Sequence, residues 1–163
     1  MRGGLAALAL ALAMTGCTTD TPNHRPAQKT SRAAPAAQPD DGLPLGTLPR
    51  QDLAAGQCAL FLWKAGNEAR LVLMARTAPA VARIMLGGRL MDLARTNGVG
   101  ENPDGLFANA VYSDGATTVT VEATLERRPN LQGGAVVTNG SLRLDQASGE
   151  SFVMPAAGLL ACR

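Results

Sequence analysis

The residue types that perform chemistry are few in this chain, and their spacing excludes most reactions. The one histidine, His24, lies beside Arg25 and Pro26. No serine or cysteine further along has an imidazole to take its proton, so Ser–His and Cys–His nucleophiles are excluded for the remainder. Glu122 and Glu126 share one face if their segment is a strand, but they then stand about 13 Å apart, too far for a glycosidase acid/base pair. The glycine pairs Gly87-Gly88 and Gly133-Gly134 lack the spacing, lysine and helix of a phosphate loop and read as turns. The expectation is a protein that is not an enzyme and holds no cofactor.

Binding residues are the next candidates. Residues 96–105, TNGVGENPDG, collect Asn97, Glu101, Asn102 and Asp104, oxygen donors of the sort calcium prefers. They do not follow the alternating acidic pattern of an EF-hand, and Asn, Asp, Gly and Pro also serve any long β connection, so no metal site is expected. As the longest connection, this loop still offers Glu101 and Asp104 as candidate binding residues. Arg127 and Arg128, before Pro129-Asn130, form a second candidate surface that would grip a carboxylate or an anionic glycan, or else a solvated turn. Trp63 precedes a turn and would anchor a partner if exposed. As the largest apolar residue of an aromatic-poor chain it is expected in the core.

The cysteines say where such a protein works. Cys17, Cys58 and Cys162 are the three. No C-x-x-C exists for redox exchange, and no folded-region histidine could complete a zinc site. If Cys17 is otherwise engaged, Cys58 and Cys162 are left as an even pair, expected to form a disulfide in an oxidising compartment. It would fasten the first strand to the last across a loop of ~100 residues, stabilising by ~4–5 kcal/mol in the chain-entropy model.

Composition bounds the partners. The chain has 163 residues, 46% apolar and 3% aromatic, with 15 Lys plus Arg against 13 Asp plus Glu. That length suits one globular domain. A net charge of +2 with scattered basic residues and so few aromatics provides neither the field nor the stacking platform that nucleic acid requires.

The N-terminus has the form of an export signal: Met1-Arg2, an apolar run from Leu5 to Met14, then Thr15-Gly16 before Cys17. The run makes a helix of about 15 Å, half of a bilayer's ~30 Å core, so it is not a membrane span. Met14-Thr15-Gly16-Cys17 resembles the lipobox of bacterial lipoproteins, although that family usually has leucine in the place of Met14. The resemblance implies that residues 1–16 are removed and that Cys17 receives a diacylglyceryl group and further acyl chains, palmitate among them. Thr18, where aspartate would retain the protein in the inner membrane, implies an outer-membrane anchor facing the periplasm.

Residues 17–50 carry Pro22, Pro26, Pro35, Pro39, Pro44 and Pro49 with few large apolar residues, and are expected to be a disordered tether. From 51 to 163 short apolar runs alternate with turn residues, which predicts a single all-β, antiparallel domain of about eight to ten strands, either a sandwich or a small barrel. Residues 116–126, ATTVTVEATLE, alternate most clearly: Val119, Val121, Ala123 and Leu125 on one face, Thr118, Thr120, Glu122, Thr124 and Glu126 on the other. Gly87-Gly88 predicts a two-residue hairpin with Ile84 opposite Met91, Ala82 opposite Leu93 and Arg83 opposite Asp92. Asn139-Gly140 predicts another, with Val137 opposite Leu142. Residues 58–63 and 69–76 form a further expected hairpin. Residues 106–112 lead into the alternating strand, and 151–154 and 159–162 close the domain.

A lipoprotein with a small β domain closed by a first-to-last-strand disulfide is similar to the membrane-bound inhibitors of c-type lysozyme, the run from Ala82 to Tyr112 carrying the likeness. That family has a Ser-Gly-x-x-Tyr motif where Ala108-Asn109-Ala110-Val111 precede Tyr112 here. Two functions are therefore expected from different classes. One is a non-catalytic binding or scaffold module for another envelope protein or the cell wall. The other is a carrier of a small hydrophobic ligand inside a barrel.

Overall fold

Alternation between residues 117 and 126 becomes the wall of a closed barrel in a computed structural model, which describes residues 42–102, 104–131 and 133–163. Eight strands follow one another: β1 (Cys58–Lys64), β2 (Leu71–Arg76), β3 (Val81–Leu86), β4 (Arg89–Glu101), β5 (Phe107–Ser113), β6 (Thr117–Glu126), β7 (Gly134–Gln146) and β8 (Ser151–Cys162). Each pairs antiparallel with the next, and β8 pairs with β1 from Cys58↔Cys162 to Lys64↔Ala156. No helix occurs among the described residues. Full closure removes both sheet edges, which an open sheet of this size would have to protect.

The inward-facing set is apolar. Leu62, Leu73, Ala75, Ala82, Ile84, Leu93, Val119, Val121, Leu142 and Leu144 all have 0% exposure, so no water-sized void touches them. Tyr112, Met154 and Leu160 complete the same cluster. Outward positions of β6 are Thr118, Thr120, Glu122, Thr124 and Glu126. Apolar inside and polar outside is the reverse of the pattern in barrels that cross a membrane. No helix of the described residues is long and apolar enough to cross one either.

The β3–β4 hairpin has the expected register, Ile84↔Met91, Ala82↔Leu93 and Arg83↔Asp92. Gly87 and Gly88 take φ of 56° and 77°, the left-handed values that a two-residue turn of this hand requires. The Asn139-Gly140 hairpin does not form. Residues 134–146 are one strand, β7, paired with β6 from Thr117↔Gln146 to Glu126↔Val136, so Val137 faces Leu125 and Gly158 instead of Leu142. β6 offers a long unbroken ladder, and the extra residues are taken up as a bulge between Val137 and Gly140. Gly140 is there for close approach: an added Cβ would stand 2.9 Å from the Ala156 carbonyl oxygen. Likewise 151–154 and 159–162 merge into β8 through Pro155, a residue that sheets admit only where a ladder is interrupted; it pairs with Ser141, beside that bulge.

Segment 43–50, expected in the tether, belongs to the domain. Leu45 and Leu48 are each 4% exposed. Leu45 bridges Leu86 and joins the interior cluster. The Gly46 and Leu48 amides donate to the carbonyls of Met85 and Leu71, both at 2.8 Å. Leu48 and Leu53 then pack with Ala59, Phe61, Leu71, Met74 and Met85 on the outside of β1–β3. The Gly56 amide finally donates to the Arg163 carbonyl at the far end. Proline richness signalled disorder, but burial of the two leucines, the packing of Leu53 beside them and the backbone hydrogen bonds to β2 and β3 together tie down this short strap. Residues 17–41, with Cys17, lie outside the described residues.

Candidate functional site

Two regions gather chemistry-bearing side chains among the described residues, and the first is the rim where the start of β1 meets the end of β8. Cys58 and Cys162 form the expected disulfide, as neighbours in register on β1 and β8. The β4–β5 turn leans onto this rim. Asn102 Oδ1 accepts from the amides of Asp104 (3.0 Å) and Leu106 (3.2 Å), an Asx-type turn, and Leu106, 1% exposed, enters the core. Asp104 is thereby set with a carboxylate oxygen and both cysteine sulfurs mutually within 4.8 Å. The sulfurs share a covalent bond and present no thiolate, so the cluster is not a metal-ligand set.

Arg127 Nη2 donates to Asp104 Oδ2 at 2.6 Å. Two candidates from distant segments therefore meet, and each consumes the other's charge. Arg128 Nε lies 3.7 Å from the Glu126 carboxylate, both exposed. Glu101 is the exposed last residue of β4. Residues 96–101 are strand and not loop: β4 runs through them to pair with β5 after a bulge between Arg95 and Asn97. The Phe107 ring fills the space over Gly98 and receives the Arg95 guanidinium at 4.3 Å, an aromatic cover that lets a glycine-rich stretch stay extended. Asn97, Glu101, Asn102 and Asp104 thus do not converge on one cation. Trp63 is not in the core. It is half-buried on the outer wall, its ring centroid 6.2 Å from that of Phe61, and it pairs with Ala157 and Leu71.

Comparison with known proteins yields no match among family models, curated proteins or solved structures. Function has to be argued from this chain's own geometry.

The second region lies on the outer wall of β5–β8, and the sequence reading missed it. Register places Asn109, Glu122, Ser141 and Pro155 in one row, and Val111, Thr120, Arg143 and Val153 in the next. Thr124 faces Asn139 across β6 and β7. A groove of about 400 Å³ runs over Asn109, Glu122, Ala123, Thr124, Asn139, Gly140 and Ser141. A second hollow of about 230 Å³ continues it over Thr120, Arg143 and Val153, sharing Glu122 and Ser141. The β7 bulge accounts for the depression, floored by the backbone of the Ala123↔Gly140 pair. The polar alternation of β6 was the available signal; reading Asn139-Gly140 as a turn hid the groove.

The electrostatics are simple. The Arg143 Nε and Nη2 groups donate to the Asp145 carboxylate at 2.8–3.0 Å, and Ser151 Oγ adds a bond at 2.7 Å. Those hydrogen bonds hold the Asp145 carboxyl below its ordinary range. The Arg143 charge is thus balanced by its neighbour's. Glu122 makes no ion pair among the described residues, and its one hydrogen bond is a long 3.4 Å contact from Ser141 Oγ. The groove offers carboxamides, hydroxyls and one carboxylate open to solvent. None of these is a proton-relay set.

Tyr112 bears on the lysozyme-inhibitor likeness. It is 2% exposed inside the barrel, and burial pushes its phenol above the ordinary value.

Proposed function

We propose that this protein is a membrane-anchored, non-catalytic binding module of the cell envelope, held through Cys17 in the outer membrane on the periplasmic side, with the outer wall of β5–β8 as its binding face. The observation that carries this reading is the placement of the concave polar surface on the wall of a filled barrel. Inward residues at 0% exposure leave no chamber for a carried hydrophobic molecule, so carriage is the weaker alternative. The buried position of Tyr112, together with the missing Ser-Gly-x-x-Tyr motif, weakens the inhibitor alternative in the same way. The disulfide fits an oxidising compartment.

The test is a photo-crosslinking amino acid at position 122 of the full-length protein in its own cells, beside the same group at position 89 on the β3–β4 hairpin, with and without Cys17→Ala. An adduct to one envelope component from position 122 alone is expected, with the Cys17→Ala chain recovered in the soluble fraction. Equal adducts from both positions, or a Cys17→Ala chain that stays with the membrane, overturn the corresponding half of the reading.

A further inference from the structure

We propose that the wall groove binds an uncharged saccharide carrying acylated amines, an assignment that rests on this groove being the protein's binding face. Asn109 and Asn139 each present a donor and an acceptor, the Thr124 and Ser141 hydroxyls present both, and Glu122 accepts at two oxygens. Such a set matches a ligand whose groups are themselves mixed donors and acceptors, as sugar hydroxyls and secondary amides are. A carboxylate next to a carboxamide is suited to neighbouring hydroxyls of one ring, and Asn109, Glu122 and Ser141 stand in register on adjacent strands, about 10 Å from end to end.

Charge removes the main competitors. The one guanidinium lining the groove, Arg143, is balanced by the Asp145 carboxylate on Nε and Nη2, so a phosphate, a polyanionic glycan or a nucleic acid meets no net positive charge there and faces the Glu122 charge instead. An acyl chain would have to cover hydroxyls and carboxamides with Val153 the one large apolar side chain of the lining, leaving polar groups unpaired. A peptide cannot add as a strand, because the barrel has no edge. At about 400 Å³ the groove is within the range of small-ligand sites, ~300–1,000 Å³. The backbone of the Ala123↔Gly140 pair, exposed at the floor by the β7 bulge, lets a ring approach closely.

The decisive experiment is calorimetric titration of the full-length protein in detergent with a β-1,4-linked N-acetylglucosamine tetrasaccharide, and with the same tetrasaccharide after removal of its acetyl groups. Saturable binding of the acetylated form is expected, weakened at least tenfold by Glu122→Gln and by Asn139→Ala and unchanged by Arg89→Ala on the β3–β4 hairpin. Because the groove side chains are exposed, melting temperatures near the parent's are expected for both groove variants. The parent titration decides by itself if a variant fails to fold. Absence of heat at millimolar acetylated saccharide overturns the assignment, as does binding that both groove variants leave intact. Tighter binding of the deacetylated, cationic form overturns it in favour of an amine ligand recognised by Glu122. Silence towards saccharide together with a protein adduct from position 122 removes the saccharide and leaves the binding face standing. Silence in both experiments removes both.

Discussion

At the scale of single residues, the side chains that could be paired by reasoning were those joined by a short local turn. Arg83 and Asp92 flank Gly87-Gly88, and the guanidinium donates from Nε and Nη2 to the two carboxylate oxygens at 2.7 Å each. Asp104 and Arg127 form an equally short pair, but they stand just beyond the open end of the β5–β6 hairpin, 23 positions apart, and meet only when those two strands pair over their full length. Trp63 was misjudged for a related reason, since its size argued for the core while its parity in β1 placed it outside. The Arg83 hydrogen bonds hold the Asp92 carboxyl below its ordinary value, with burial opposing and the charges of Arg83 and Arg76 assisting. A lowered folded-state value means that the stabilisation is complete above the unfolded carboxylate pKa of ~4 and is lost as pH falls through the folded one. Asp114, held low by the Thr117 and Ala116 amides, and Asp145 act in the same direction. Asp92→Asn is therefore expected to flatten the fall of melting temperature between about pH 5 and pH 2, while costing at most ~1 kcal/mol at neutral pH because the pair is partly solvated. Melting curves of parent and variant that run parallel across that interval would contradict this origin of acid sensitivity.

At the scale of elements, strand faces were legible and strand lengths were not. Parity alone puts Val119, Val121, Ala123 and Leu125 inside, because side chains alternate whatever the strand pairs with. Where a strand ends depends on what its neighbours offer. Asn139-Gly140 and Pro155 are turn and breaker signals, yet β7 runs through the first because β6 pairs with it there, and β8 runs through the second because β7 does. Glycine at 158 shows the packing demand at the closing seam. It faces Leu62 of β1 and Val137 of β7, and an added Cβ would overlap the Phe61 carbonyl oxygen and approach Leu62 Cδ2 to 2.8 Å. Gly158→Ala is expected to destabilise the domain by about 1–3 kcal/mol, the usual cost of overpacking, measured as a lower denaturant midpoint at unchanged slope. A loss below about 0.5 kcal/mol, the level of an ordinary surface substitution, would mean that the seam has room to spare.

At the scale of the whole molecule, closure is the dominant fact. β1 and β8 are joined by backbone pairing along their length and by the Cys58–Cys162 bond across 104 positions of sequence. The strap from Leu45 to Gly56 holds the outside of β1–β3. Replacing both cysteines by serine is expected to cost ~4–5 kcal/mol in the chain-entropy model, read from chemical unfolding, with the barrel still formed in the absence of denaturant. A much smaller cost would show that the unfolded chain keeps its ends close without the bond.

The sequence by itself determined an all-β domain, the inward face of β6, the β3–β4 turn with its ion pair, the cysteine pairing and the lack of any histidine beyond residue 24. All of these follow from counting or from contacts a few residues apart, where local sterics and side-chain parity govern. Only the tertiary structure decided between barrel and sandwich, recruited residues 43–50 from the expected tether, merged four short strands into β7 and β8, and assembled the groove. Those outcomes depend on pairing between strands far apart in the chain, on how much apolar surface each segment finds to bury, and on three neighbouring strands presenting Asn109, Glu122 and Ser141 in one row.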